Sequence, residues 1–248
     1  DENILSNPNL TDNSLNFYDS SDSLDSAISI GGGILETITT RVSDANYAWD
    51  FRESLVDFNG GQTITLTNTS LSSETGVSFN GTTTYATVPT TVQAGGSSTF
   101  AVEIYFTYTG STNYFQSIID FEDRVSYENR FRFAITATSS IYVRGTNSNN
   151  GDSALNGIYS VTDGTQYHVV LSWINSTTMY LYVNGSFIFS YNVNLPSNNT
   201  RTTNMIGDQY QNTTDPQHFY GTIHTLRFWN DPSSFDATDV AYLYANRN

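Results

Sequence analysis

The chain contains no cysteine and no lysine. Without cysteine there is neither a disulfide framework nor a thiolate metal site. An oxidising compartment is thus neither required nor excluded. All nine basic residues are arginine, set against 24 acidic ones, for a net charge of −15. So acidic a surface repels phosphate backbones, which argues against a nucleic-acid partner. It also keeps a strand-rich chain from aggregating. Charged residues make up only 13% of the total. Ser, Thr and Asn take their place, a composition suited to surface or secreted β-proteins. No apolar run approaches the roughly 20 residues that a membrane helix needs, so membrane insertion is not expected. No signal peptide is visible and residue 1 is Asp rather than Met, which suggests a processed or excised segment. Seven Asn-x-Ser/Thr sequons occur, at Asn9, Asn68, Asn80, Asn175, Asn184, Asn198 and Asn212. An Asn- and Thr-rich chain produces many by chance, and their use depends on the host.

What is present is period-two alternation. Tyr167, Val169, Leu171 and Trp173 alternate with His168, Val170 and Ser172. Met179, Leu181 and Val183 alternate with Tyr180 and Tyr182. Asn184-Gly185 tolerates positive φ at both positions, so a type I′ hairpin turn is predicted there. The stretch 167–191 therefore reads as a three-stranded meander whose apolar face needs a second sheet. With 248 residues the chain can supply that sheet and a sizeable core within one domain.

Residues 1–45 are polar and acidic with little periodicity, and read as an arm or linker with one or two edge strands around Gly31-Gly32-Gly33. From residue 46 strands are expected at Tyr47–Phe51, Thr63–Leu66, Val77–Phe79, Ala86–Val88, Phe100–Tyr108, Phe115–Phe121, Arg130–Ile135 and Ile141–Arg144. Gly145–Gly157, rich in Asn, Ser and Gly, reads as a long loop. After the meander come a strand at Asn204–Ile206, a polar aromatic loop at Gly207–His218 and a last strand at Phe219–Trp229. The alternation of that strand slips near His224, which predicts a β-bulge. Asp236 can cap a short helix with the apolar stripe Val240, Leu243 and Tyr244.

The order of these segments resembles the laminin G-like jelly roll of the concanavalin A-like lectin/glucanase superfamily. The resemblance rests on Ala48-Trp49-Asp50-Phe51, on Val77–Gly81 with Tyr85 and Val88-Pro89, and on Phe100–Phe106. Tyr167–Val170, Met179–Gly185, Gly221–Trp229 and Asp239–Tyr244 complete it. It implies an all-β, two-sheet antiparallel sandwich with a short C-terminal helix over residues 46–248, preceded by the arm. These are framework motifs and say less about a ligand. Similar domains occur on secreted and cell-surface proteins and on virus and phage particles, where they bind glycans or proteins. Some superfamily members are glycoside hydrolases or polysaccharide lyases. The resemblance also implies a structural calcium, held by an early acidic residue, here Asp50, and by the Asp of a G-x-I-D motif. That second position is His224 in this chain, a poor ligand for a hard cation.

A retaining glycosidase needs two carboxyls roughly 5 Å apart. The hydrolases of the superfamily carry them as E-x-D-x-x-E on one strand, and no such run occurs. Asp120, Glu122 and Asp123 come nearest. Asp120 and Glu122 share a strand face, and the bland reading makes them solvated charges at a strand end. The lyase pattern, arginine and glutamate on one strand with a Tyr/His pair, is missing too. His168 lies beside a buried face and reads as a framework or surface histidine. Sugars are held by aromatic faces and by polar groups that satisfy hydroxyls. The loop after Gly207 combines Asp208, Gln209, Tyr210, His218 and Tyr220, with Arg124 and Tyr127 expected on a neighbouring loop. The bland alternative is a polar loop packed on a sheet edge. Calcium in a rim loop, through Asp208 and Asp215, is the candidate metal site; no cofactor is required. The expectation is non-catalytic recognition of a glycan at a cell or virion surface. The alternatives are an assembly module that oligomerises through residues 1–45, and a polysaccharide-degrading enzyme.

Overall fold

The computed structural model describes residues 43–110, 114–123, 130–147, 151–209, 217–233 and 235–247, with the backbone of three strands nearer the N-terminus. The chain separates into two compact units, Asp1–Asp44 and Ala45–Asn248. In the first, β1 (Ser14–Phe17), β2 (Ser26–Gly31) and β3 (Ile34–Thr37) form an antiparallel sheet in chain order.

The second unit consists of two antiparallel sheets. Its strands are β4 (Tyr47–Asp50), β5 (Thr65–Thr67), β6 (Leu71–Ser72), β7 (Gly76–Asn80), β8 (Tyr85–Thr87), β9 (Phe100–Tyr108) and β10 (Gln116–Glu122). There follow β11 (Phe131–Ile135), β12 (Ser140–Asn147), β13 (Gly151–Ser160), β14 (Gln166–Trp173), β15 (Thr178–Val183), β16 (Ser186–Asn192), β17 (Thr203–Ile206) and β18 (Tyr220–Asn230). One sheet runs β13-β12-β11-β10-β17-β8-β5. The other runs β16-β15-β14-β9-β18-β7-β6, with β4 paired to the remaining length of β18. The stretch expected to be a long loop at 145–157 is instead the end of β12 and most of β13, paired from Ser140↔Ser160 to Asn147↔Gly151. Its composition hid it, because backbone pairing to β12 compensates for low strand propensity.

Alternation decides what lies between the sheets. Phe100, Val102, Ile104 and Phe106 of β9 meet Trp173, Leu171, Val169 and Tyr167 of β14 in register, and all of them, with Tyr108, are buried in the core. Phe131, Phe133 and Ile135 of β11 supply the opposing layer, so that the Phe100 ring stands edge-on to Phe131 at 5.5 Å. Burying one such side chain contributes about 1.5–3 kcal/mol, so this layer dominates the favourable side of folding.

Local chemistry pins the register. Asn184 and Gly185 have φ of 50° and 77°, as a type I′ turn requires. The register of β18 against β9 shifts between Ile223 and Thr225, the bulge expected near His224. Helix α1 (Ala237–Ala245) starts on a capping box: Asp236 accepts from the Thr238 and Asp239 amides while the Asp239 carboxylate accepts from the Asp236 amide. Its Val240 and Leu243 are buried.

Under the helix-bearing side of the second sheet lies a buried ionic network. Glu103 is 2.8 Å from His168 Nε2 and 2.6 Å from Arg227 NH1, and the His168 ring packs 5.6 Å from Tyr244 of α1. Burial pushes the Glu103 carboxyl up, but the Arg227 charge and the His168 contact outweigh it and hold the group below its ordinary value. His168 is thus a framework residue.

Candidate functional site: the charged outer face of the seven-stranded sheet

In β10 the core takes Ile119 and Phe121, so Asp120 and Glu122 point to the opposite face. The same alternation in β11 sends Arg130 and Arg132 outward, and Asp120 pairs in register with Arg132. The sequence expectation of solvated charges at a strand end is overturned: all four side chains are buried. Arg130 makes a two-pronged bond to Asp120, at 2.9 Å from Nε and 2.8 Å from NH2. Glu122 lies 3.5 Å from Arg130 Nε, and neither of its oxygens accepts a hydrogen bond from the described residues. One guanidinium therefore serves two carboxylates two positions apart. Burial, then the Asp120 charge, push the Glu122 carboxyl up to about 7.

Arg132 turns away from both acids. It donates to Ser117 Oγ at 3.0 and 2.7 Å and to Gln217 Oε1, and its guanidinium packs 5.5 Å from Phe115 and 5.6 Å from Tyr142. Burial lowers it to about 10, with Arg130 and Arg144 adding like-charge repulsion.

Gln217 belongs to the far end of the loop that the sequence singles out. The Ser117 amide donates to the Gln217 carbonyl at 2.8 Å, the Phe219 amide to Gly207, and the Gly207 amide to Ile118. These bonds anchor both ends of the loop on β10. Asp208 and His218 come together, Oδ1 to Nδ1 at 3.2 Å, and the Gln209 amide donates to Asp208 Oδ1. Burial raises the Asp208 carboxyl; His218 opposes this and the Asp120 charge adds to it. Loop and charged face thus share one electrostatic environment. Tyr220 stands at the rim, 43% exposed, with its amide on Gln116 Oε1 at 2.8 Å. Gly81 and Gly110, both at positive φ, approach its ring, so there is no side chain to cover it there. Tyr114, two residues before Gln116, is also exposed.

Of the expected site residues, Asp208, Gln209, His218 and Tyr220 are placed at this rim. Arg124, Tyr127, Tyr210 and Asp215 lie outside the described residues. The residues that the sequence reading missed are Arg132, Ser117 and Gln217; only the outward phase of Arg132 in β11 hinted at one of them. Tyr180 and Tyr182 are on the other sheet, packed edge-on to Phe187 at 5.5 and 5.6 Å.

The donors at Asp50 and His224 do not suit a structural calcium. Among the described residues no three His, Asp or Glu side chains converge. At Asp50 both carboxylate oxygens already accept from Arg52. His224 offers nitrogen where calcium takes oxygen.

Two antiparallel sheets in this order define a lectin-like jelly roll. The family model for the concanavalin A-like lectin/glucanases superfamily matches residues 80–240, and the chain belongs to that superfamily. No curated protein matches the sequence. Among solved structures, domain 4 of AbnA, a GH43 extracellular arabinanase from Geobacillus stearothermophilus solved with arabinotriose, is 14% identical. That match covers 81% of this chain and 98% of that domain, with a TM-score of 0.60. A structure of botulinum neurotoxin type C, whose cell entry is dependent upon interaction with two ganglioside molecules, is 13% identical at TM-score 0.62. It covers 84% of this chain and 52% of that one. The botulinum neurotoxin serotype D binding domain is 14% identical at TM-score 0.61, covering 84% and 53%. The chain spans about half the length of these toxin chains. At such identities the likeness concerns the fold.

Proposed function

We propose that this domain is a non-catalytic recognition module that binds carbohydrate at the 207–220 rim. The carrying observation is the exposed Tyr220 ring at the start of β18, where the loop that holds the Asp208–His218 pair ends. An aromatic face covers the C–H side of a sugar ring, and a carboxylate and an imidazole from the same loop can meet its hydroxyls. Solved neighbours of the same fold are described with arabinotriose and with gangliosides, which supports the class of ligand without naming it. Display at a cell or virion surface suits the acidic, lysine-free composition, and many copies would strengthen a weak single site.

Catalysis is not favoured by the geometry at Asp120 and Glu122. Asp120 is locked in a bidentate ion pair and both acids are buried side by side, whereas a retaining mechanism needs two carboxyls flanking a reachable bond. The test is a glycan array with wild type and Tyr220→Ala. Binding that is lost in the variant while its melting curve is unchanged supports the proposal. No binding to any glycan, or equal binding by both proteins, refutes it. Glycan depolymerisation that disappears in Glu122→Gln would replace it with an enzymatic reading.

A further inference from the structure

The end of β4 carries an ion pair with an unusual reach. Asp50 Oδ1 accepts from the Arg52 amide at 3.0 Å and from Arg52 Nε at 2.9 Å, while Oδ2 accepts from NH2 at 2.5 Å. The same NH2 also donates to the Arg247 carbonyl at 2.8 Å, 195 residues further along the chain. Arg247 in turn lies 3.9 Å over the Tyr244 ring and 6.0 Å from Tyr105. Arg52 therefore joins the first strand of the sandwich to the segment that follows α1.

Across the sheet, Asp50 pairs with Thr225, which brings His224 alongside. His224 Nδ1 is 2.6 Å from the Thr75 carbonyl, so that nitrogen carries the proton, since a carbonyl only accepts. Nε2 of the neutral ring then accepts from the Thr107 hydroxyl at 2.8 Å. The ring packs 4.7 Å from Tyr105. Burial depresses the His224 pKa, the Thr75 bond opposes that, and the Arg52 charge lowers it further. Burial raises the Asp50 carboxyl, but the Arg52 hydrogen bonds and charge overcome this and leave it below its ordinary value. Both carboxylate oxygens of Asp50 and both ring nitrogens of His224 are thus engaged within the protein, while the buried Thr225 hydroxyl has no partner among the described residues.

Calcium takes six to eight oxygen ligands, several of them anionic. This corner offers a single carboxylate whose two oxygens are both in use, an imidazole with both nitrogens in use, and one neutral hydroxyl, that of Thr225. We propose that Arg52 is a built-in cation: its guanidinium neutralises Asp50 and ties the C-terminal segment to β4, so the domain keeps its fold without a divalent ion. A tethered guanidinium differs from a bound ion in one measurable respect. Ion binding stabilises by mass action and disappears with a chelator, whereas an intramolecular cation has no concentration dependence. The inference is independent of which ligand the rim takes.

The experiment is thermal unfolding of the full chain in EDTA and in millimolar calcium, with calcium content measured by elemental analysis after dialysis. The expected result is one Tm in both conditions and substoichiometric calcium. Arg52→Met should lower Tm by several degrees, with no rescue by added calcium, and should speed carboxypeptidase trimming of the C-terminal residues. Arg52→Lys, which keeps the charge but loses the fork, should fall between the two. A wild-type Tm that drops by about 5–10 °C in EDTA, the loss expected for a well-occupied structural ion, overturns the proposal. So does an Arg52→Met protein that melts and trims like wild type. The chelator arm decides the matter even if the variants fail to fold.

Discussion

Glu122 is the group whose titration should dominate the stability of this domain near neutral pH. It is buried without a hydrogen bond to either oxygen among the described residues, and the guanidinium in contact with it, Arg130, is already committed to Asp120. Its pKa rises from an ordinary 4.5 to about 7. In the unfolded chain Glu122 loses its proton near 4.5; in the fold it keeps it to about 7. Between those values the folded state binds more protons, so stability falls as pH rises. It is fully present below 4.5, lost through about 7, and flat above. At about 1.4 kcal/mol for each tenfold in proton affinity, the gap is worth about 3 kcal/mol. For a chain of this size that is a Tm change of about 6–12 °C. Asp208, also raised, adds to the slope. His224, depressed, opposes it below 6.5. The assay is therefore a difference: urea unfolding followed by tryptophan fluorescence at half-unit steps from pH 4 to 8, on wild type and Glu122→Gln. Both other groups cancel in the subtraction. The glutamine does not titrate, so its advantage over wild type should grow by about 3 kcal/mol across the window. Two parallel profiles, whatever their offset, would show that Glu122 is ionised in the fold and that the reasoning is wrong.

Three further outcomes follow from the packing. Glu103→Gln leaves Arg227 and His168 buried without their anion, and should cost about 3–5 kcal/mol by chemical denaturation. The wild-type network should itself weaken only in acid: the Glu103 pKa is depressed, so its contribution is present above its unfolded value and is lost as pH falls through the folded one. Gly185→Ala places a Cβ 2.8 Å from Tyr244 at a φ of 77° and should destabilise by more than about 1 kcal/mol, with near-ultraviolet circular dichroism reporting loosened Tyr244 packing. Asp236→Ala removes the capping box of α1 and should cost about 0.5–2 kcal/mol in the same denaturation assay.

Much of the framework is legible along the chain because it is written in short-range periods. The alternation of β9 and β14 says which side chains face inward, Asn184-Gly185 sets a hairpin register, and one slipped position near His224 marks a bulge. The 145–157 stretch shows where this fails. Its Gly, Asn and Ser residues have low strand preference, and only the hydrogen-bond ladder of β12 makes β13 a strand. The rim was partly legible: Asp208 and His218 were both candidates of one loop, but their contact and the influence of Asp120 on Asp208 came from the structure.

By itself the sequence determined that this is a two-layer β protein without thiol chemistry, with a strong negative charge. Those properties depend on residue type and on neighbours one or two positions away. That Tyr220 at the loop end stands exposed came from the structure. Only the tertiary structure decided the fate of the charges. A carboxylate on an outward strand position reads the same in sequence whether water or protein covers it. Cross-strand register put Arg130 and Arg132 beside Asp120 and Glu122, and joined Arg52 to a carbonyl 195 residues away. Charge energies depend on burial and on the nearest opposite charge in space, and neither is a local property of the chain.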